Sequence, residues 1–141
     1  MRNILIIILL VALSGSLTAW HAAVLPQIDG PQLKFDGGDM KDYGKTMKGV
    51  LITDTFWFEN TGSQPLVIGA VTPSCGCTSV AWTKIPVPPH QKGFVSFNLN
   101  TRKEDFGKFT KELFIQSNAV NATAKHGRYE LQVRGVVKRR I

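Results

Sequence analysis

The stretch Phe56-Trp57-Phe58-Glu59-Asn60-Thr61-Gly62 joins an alternating apolar pattern directly to a turn motif. It closes a run over residues 50–59 in which Ile52, Phe56 and Phe58 are separated by even numbers of positions. Because successive side chains of a β-strand point to opposite faces, these three would share one face and the residues between them the other. The pattern therefore predicts a strand with one buried and one exposed face.

The residues that follow, Asn60-Thr61-Gly62-Ser63, have the composition of a tight turn. Asparagine and glycine tolerate the left-handed backbone conformation better than other residues do. We therefore expect Asn60 or Gly62 to adopt a positive φ and to connect this strand to the next.

Similar short runs, rich in β-branched and aromatic residues, recur along the chain, and no helical periodicity is sustained beyond residue 31. The predicted strands are residues 32–35, 50–59, 65–71, 78–82, 94–100, 110–117 and 129–137. Residues 85–89 contain three prolines, so we expect a loop or an edge there. About seven strands in about 110 residues predict an all-β fold, an immunoglobulin-like antiparallel β-sandwich over residues 32–141.

The first 25 residues form a separate segment. Arg2 precedes residues 4–25, which have no formal charge and are long enough to cross a bilayer of about 30 Å. A cation, an apolar run and then small residues are also typical of a secretory signal, but Leu17 is unsuitable three positions before the best cleavage point. The segment 1–25 is therefore predicted to be a signal anchor with one hydrophobic helix, or alternatively a cleaved signal peptide, followed by a linker over residues 26–31.

The whole chain has a net charge of +7, and its excess of basic residues lies in the last third. Residues 106–141 contain eight Lys or Arg and two Glu, and they end in Lys138, Arg139 and Arg140. No interleaving of aromatic and basic residues supports nucleic acid as a partner. An acidic protein surface or anionic lipid headgroups fit as well, and a solvated surface with no partner is the alternative. Lys138, Arg139 and Arg140 are the predicted partner-binding site.

Cys75 and Cys77 are the only cysteines, and one glycine separates them. On a strand they would project to the same face, where two thiolates suit a soft ion such as Cu(I). The third ligand of that candidate metal site would come from His90, Met40, Met47 or His126. A disulfide that acts as a redox switch is another interpretation, and two small buried residues at a strand corner is the favoured one.

Motifs typical of enzymes are missing from the sequence. It contains neither a G-x-S-x-G elbow nor a phosphate-binding glycine loop. His90 lies 15 positions after Cys75, and nothing in the sequence marks an oxyanion hole to complete such a nucleophile–base pair. We therefore expect a protein that is not an enzyme and has no small-molecule substrate or cofactor, with copper as the alternative cofactor.

Seven segments occur in an order that is similar to a known family. They are residues 56–62 (FWFENTG), 65–68 (PLVI), 74–78 (SCGCT), 88–93 (PPHQKG), 107–111 (GKFTK), 117–118 (SN) and 133–137 (VRGVV). Together they resemble the bacterial domain-of-unknown-function family fifteen-seventy-three, whose members are mostly exported and which is akin to Hydin-type and major-sperm-protein-type immunoglobulin-like modules. The resemblance spans about residues 33–137. It departs from the family pattern at His90, where a Pro-Gly turn is usual, and in a longer insertion over residues 119–126.

The resemblance implies the sandwich fold and an exported protein, but it supplies no reaction. We therefore expect a non-catalytic module, anchored in a bacterial inner membrane through residues 4–25 with its domain in the periplasm. A soluble periplasmic or secreted protein is the alternative if the segment is cleaved. The expected partners are protein subunits of a membrane complex. The alternative function is copper handling or thiol redox chemistry through Cys75 and Cys77.

Overall fold

The computed structural model describes residues 29–122 and 128–139, which fold as two packed β-sheets. The strands are β1 (Leu33–Phe35), β2 (Met40–Met47), β3 (Leu51–Asn60), β4 (Ile68–Pro73), β5 (Thr78–Trp82), β6 (Lys92–Asn100), β7 (Gly107–Ser117) and β8 (Tyr129–Lys138). A 3₁₀ helix, Thr101–Lys103, lies between β6 and β7. The sheet orders are β1-β3-β6-β5 and β2-β8-β7-β4. The predicted all-β sandwich is confirmed.

Alternating side chains of the long strands fill the space between the sheets. Phe56 and Phe58 of β3 are fully buried, whereas Trp57 between them is 52% exposed. The inward residues of β6 and β8 are also buried, as the alternation predicts: Val95, Phe97, Leu99, Leu131, Val133 and Val137. Each such side chain contributes about 1.5–3 kcal/mol through burial, so this core is the main source of stability.

Strand β2 corrects the predicted topology, because it adds an eighth strand and makes the sandwich not wholly antiparallel. It pairs in parallel with β8 at the edge of its sheet, and the register shifts between Asp42 and Lys45. None of its side chains is fully buried, and Gly44 within it has a φ of 56°. Both faces of this edge strand carry polar side chains, so its sequence shows no alternation of apolar and polar residues. Its lysines disfavour pairing of the edge with other chains.

Other predicted strands differ from the observed ones mainly at their ends. Residues 65–67 precede β4, and only Leu66 forms a bridge there, to Val87. Strand β7 starts at Gly107, three residues before its predicted start. These shifts leave the order of the predicted elements unchanged.

The side chain of Asn60 is completely buried at the end of β3 and uses its full hydrogen-bonding capacity. Its Nδ2 donates to the carbonyl oxygens of Gln64 at 2.7 Å and Val87 at 2.9 Å. Its Oδ1 accepts from the amides of Gln32 at 3.2 Å and Gly62 at 3.1 Å. One amide group therefore connects the start of β1, the turn after β3 and the proline-containing loop before β6.

The expected left-handed turn residue is not at Asn60 or Gly62, so that prediction was wrong. Among the described residues, His90 is the one non-glycine with a positive φ, 61°. It occupies the position where the family resemblance leads one to expect glycine, and its amide donates to the carbonyl of Asn60 at 2.7 Å. Gly62 is required for another reason, because a Cβ there would lie 2.0 Å from the carbonyl oxygen of Gly30.

A polar cluster closes the gap between the two sheets beside β2. Lys41 Nζ lies 2.8 Å from Asp54 Oδ1, and the hydroxyl of Tyr43 donates to the same carboxylate. Partial burial opposes the ionisation of Asp54, but hydrogen bonds from Lys41, Tyr43 and the Thr55 amide outweigh it and lower the pKa of that carboxyl. Burial and the hydrogen bond to Asp54 raise the pKa of Tyr43.

Two predictions from the sequence concern residues outside this description. The hydrophobic helix over residues 4–25 and most of the linker over residues 26–31 precede Asp29, the first described residue. Within residues 29–122 and 128–139, no helix has the length and apolar character needed to span a membrane.

Replacing Asn60 by Ala should destabilise the fold by about 2–4 kcal/mol, because buried amides and carbonyls lose their partners. Chemical denaturation measures this free energy of unfolding. Asn98→Ala is the matched control, since Asn98 bonds Thr53 and Ser79 on an exposed face and should cost less than about 1 kcal/mol. Equal losses in the two variants would contradict the role of Asn60.

Acid should destabilise the protein partly through Asp54. Because the folded-state pKa of this carboxyl is lowered, its stabilising contribution is present above the unfolded-state pKa and is lost as the pH falls through the folded value. The drop in Tm between about pH 6 and about pH 3 should therefore be smaller in Asp54→Asn than in the parent protein. Asp105→Asn, at an exposed carboxylate that forms no ion pair with the described residues, should keep the parent's full drop. Identical acid profiles for Asp54→Asn and the parent would contradict this assignment.

Candidate functional site

Three chain connections and the end of β8 meet at one end of the sandwich. The buried hydroxyl of Thr101 donates to the carbonyls of Val50 at 2.7 Å and Met47 at 3.1 Å. The amide of Asn100 donates to the Cys77 carbonyl at 3.0 Å. These hydrogen bonds hold the β2–β3 turn, the β4–β5 loop and the segment after β6 against one another.

The surface of this end combines exposed apolar side chains with cations, and we call it the basic end. Its apolar residues are Met47, Val50, Leu51 and Phe106, which are 43–60% exposed, and its cations are Lys48, Arg102, Lys103 and Arg139. None of these four cations forms an ion pair with a carboxylate of the described residues.

Phe106 is at the centre of this arrangement. Lys48 Nζ lies 4.8 Å from the centroid of the Phe106 ring, and the guanidinium carbon of Arg139 lies 5.5 Å from it. Such cation–π contacts place positive charge around an exposed ring. The exposed carboxylate of Asp105 lies next to Phe106 in the chain but does not balance the four cations.

The predicted partner-binding residues, Lys138, Arg139 and Arg140, do not all extend beyond the sheet, because Lys138 lies within β8. Lys138 is the last residue of β8, pairs with Met47 and accepts a hydrogen bond from the Lys48 amide at 3.0 Å. Arg139 follows the strand and reaches Phe106. Arg140 lies outside the described residues.

Cys75 and Cys77 form a disulfide in the β4–β5 loop, with their Cα atoms 5.3 Å apart. Both are half-buried rather than part of the core, and Gly76 between them is exposed. Their sulfur atoms lie 3.5 and 3.7 Å from the hydroxyl oxygen of Thr78. A Cβ on Gly76 would meet no atom within 4 Å, so the loop has open space around it.

Glu104 is the residue of this site that the sequence analysis missed. Its carboxylate and the two sulfur atoms all lie within 4.8 Å of one another. The Glu104 side chain is 7% exposed, and its Oε2 lies 2.8 Å from Lys111 Nζ. Lys103 Nζ donates to the Gly76 carbonyl at 3.3 Å. A buried carboxylate and two ammonium groups therefore surround the disulfide.

His90 is far from the cysteines, although the sequence left it open as a metal ligand or a base. It contacts Asn60 at the last residue of β3, whereas Cys77 contacts Asn100, which pairs with Leu51 at the first residue of β3. Those ends are about 30 Å apart at the usual rise of a strand. Neither a Cys75–His90 catalytic pair nor a His90 ligand is compatible with this distance.

Comparisons with known proteins agree with this architecture. The family model described as Protein of unknown function (DUF1573) matches residues 33–137. No curated protein matches the sequence. A crystal structure of a protein of unknown function from Porphyromonas gingivalis W83 is similar with a TM-score of 0.64 and 13% identity, over 82% of this chain and 51% of that one.

Two further solved structures share the fold. The PapD-like domain 7 of human CEP192 aligns with a TM-score of 0.55 and 13% identity, over 90% of this chain and all of that domain. The secreted serine protease VesC from Vibrio cholerae aligns with a TM-score of 0.56 and 17% identity, over 75% of this chain. The chain spans 23% of that protease and about half of the Porphyromonas protein, so these similarities concern the fold alone. From the family match over residues 33–137, the chain belongs to the DUF1573 family of proteins of unknown function.

Proposed function

We propose that this protein is a non-catalytic, extracytoplasmic interaction module that binds a protein subunit of a membrane-associated complex through its basic end. The observation that supports this proposal is the exposed apolar group of Met47, Val50, Leu51 and Phe106 surrounded by cations that have no carboxylate partner. An apolar centre with a charged rim is the usual composition of a protein–protein interface. Cations that have no carboxylate partner among the described residues favour a binding partner whose contact surface is acidic.

The direction of the basic end favours a protein partner over the lipids of the anchoring membrane. The described chain starts at Asp29 and Gly30, which contact Ser63 at the Asn60 end of the sandwich. The nine steps from Leu51 to Asn60 along β3 separate that end from the basic end by about 30 Å. Because Asp29 and Gly30 are held on the sandwich, residues 26–28 of the predicted linker separate the domain from the anchor, and they extend about 10 Å at most. With an anchor at residues 4–25, the basic end would therefore point away from that membrane.

A second candidate function is thiol redox chemistry at Cys75 and Cys77, or copper handling by the reduced pair. The observation that favours it is a half-exposed disulfide next to the Glu104 carboxylate and the Lys103 and Lys111 ammonium groups. Lys103 beside the loop would stabilise a thiolate, whereas the Glu104 carboxylate, which Lys111 partly neutralises, would oppose it. In this candidate the protein exchanges electrons with a dithiol partner that docks on the same basic end.

Removing the charges of the basic end should abolish assembly without unfolding the protein. We expect Lys48, Arg102 and Arg139, all replaced by Ser, to lower the Tm by only a few degrees, because none of them forms an ion pair and the one partly buried bond lost is that from Lys48 Nζ to the Glu104 carbonyl. Native electrophoresis of membranes in mild detergent should show the parent in an assembly much larger than 15.6 kDa and the variant mostly outside it. The difference should shrink as salt is added.

The matched control replaces three lysines near the Asn60 end, Lys34, Lys84 and Lys92, by Ser. This change removes the same amount of charge and should leave the assembly intact. Parent and basic-end variant that both migrate as free monomers would contradict the proposed function. A large assembly that persists when the parent is reconstituted alone with anionic lipid, and is absent with neutral lipid, would identify lipid rather than protein as the partner.

The disulfide should be dispensable for folding. Closing a loop of three residues stabilises a protein by at most about 2 kcal/mol in the chain-entropy model. Reduction with a dithiol should therefore give two titratable thiols per chain, while thermal unfolding stays cooperative and the Tm falls by only a few degrees. Cys75→Ser with Cys77→Ser should behave in the same way without a reductant. Loss of cooperative unfolding in both samples would mean that the disulfide is a structural link and would contradict the redox candidate.

A further inference from the structure

We infer that Cys75 and Cys77, once reduced, form a Zn²⁺ site together with the carboxylate of Glu104, so that the redox state of the pair controls metal binding. This inference depends on the second candidate function only in that the Cys75–Cys77 disulfide must be reducible. It differs from the copper hypothesis in the metal and in the third ligand.

The three donor groups are already close to the geometry of a zinc site. Their ligand atoms lie within 4.8 Å of one another, and tetrahedral bonds of usual length place sulfur and oxygen ligands about 3.6–3.8 Å apart. Opening the disulfide must separate the sulfurs by about 2 Å. The exposed Gly76 between them, with open space around it, allows that movement.

The chemistry of the donor set favours zinc over copper. Cu(I) is held by soft thiolate and thioether groups, and carboxylate oxygen suits harder cations. Zn²⁺ accepts sulfur and carboxylate ligands in one site and leaves a fourth position for water. The geometry brings the oxygen of Glu104 to the sulfurs, whereas the sequence had offered methionine and histidine as third ligands.

The charges around the site also suit a divalent cation. Two thiolates and one carboxylate carry three negative charges, so the zinc complex has a net charge of about −1. Lys111 Nζ, 2.8 Å from Glu104 Oε2, balances that charge and holds the carboxylate in place. Such an outer partner of a ligand orients it and supports metal affinity.

A dithiol is the reductant that converts the disulfide into the metal-binding pair of thiols. A dithiol transfers two electrons and two protons to the Cys75–Cys77 disulfide, the S–S bond breaks, and the dithiol becomes a disulfide. Binding of Zn²⁺ then releases the two thiol protons to solvent. Exchange with a disulfide of the redox partner reverses the step: the Cys75–Cys77 bond forms again, the partner disulfide takes the two electrons and two protons to become a dithiol, and the ion is released.

The test uses the full chain, reduced with a trialkylphosphine, and Zn²⁺ alone in competition with a chromophoric chelator. We expect one Zn²⁺ per reduced chain and none per oxidised chain. Co²⁺ in place of Zn²⁺ should give the absorption of a tetrahedral thiolate site. Glu104→Gln should weaken Zn²⁺ binding at least about tenfold, and Cys75→Ser should abolish it.

Glu112→Gln is the matched control, because the Glu112 amide bonds Ser74 in β7, whereas its carboxylate is not in the group of ligand atoms that lie within 4.8 Å of one another. It should bind Zn²⁺ like the parent. Thermal unfolding checks that each variant is folded. If Glu104→Gln proves unstable, Lys111→Met, which removes the partner that orients the carboxylate, should weaken Zn²⁺ binding by about tenfold without abolishing it. Two thiols with no bound Zn²⁺ would overturn the zinc inference and leave the redox candidate standing. A disulfide that resists the phosphine would overturn both.

Discussion

The buried amide of Asn60 is the constraint on which the rest of the structure depends. All four of its hydrogen-bonding positions are used, and they join the chain before β1, the turn after β3 and the loops around residues 64 and 87. The Asn60 backbone adds two more bonds, from its amide to Gln91 and from the His90 amide to its carbonyl. Because these partners are distant in sequence, fixing Asn60 fixes the register of β3 between β1 and β6. That register decides which residues of β3 face the core.

The two ends of the sandwich therefore have different physical characters. At the Asn60 end the polar groups are used for internal hydrogen bonds, and Gly62 lies against backbone with no space for a side chain. At the basic end, internal bonds through Thr101 hold the connections, while Met47, Val50, Leu51 and Phe106 remain exposed and the cations around them have no carboxylate partner among the described residues. A sandwich of this kind can present a chemically distinct surface at one end without weakening its core.

The sequence was informative where local pattern and tertiary environment agree. Alternation in β3 and β6 predicted the buried residues correctly, because both strands have one face on the core. Strand β2 was missed because an edge strand with no fully buried residue leaves no periodic signal. Asn60 was identified as special for the wrong reason, since its four partners are up to 28 residues away. Glu104 had no local signal at all, because only the packing of the segment after β6 against the β4–β5 loop brings it to Cys75 and Cys77.

Neither the buried Glu104 carboxylate nor the disulfide contributes much to the free energy of unfolding. A buried ion pair such as Glu104–Lys111 is a weak source of stability, because removing both charges from water costs about as much as their attraction returns. A disulfide that closes a three-residue loop is also a weak source of stability. The Glu104–Lys111 ion pair and the disulfide, which both contribute little to stability, lie side by side at the basic end. Their contribution to folding is small, and a carboxylate held beside the two sulfurs is what the proposed metal site would use, so the functional proposal explains an arrangement that stability alone does not require.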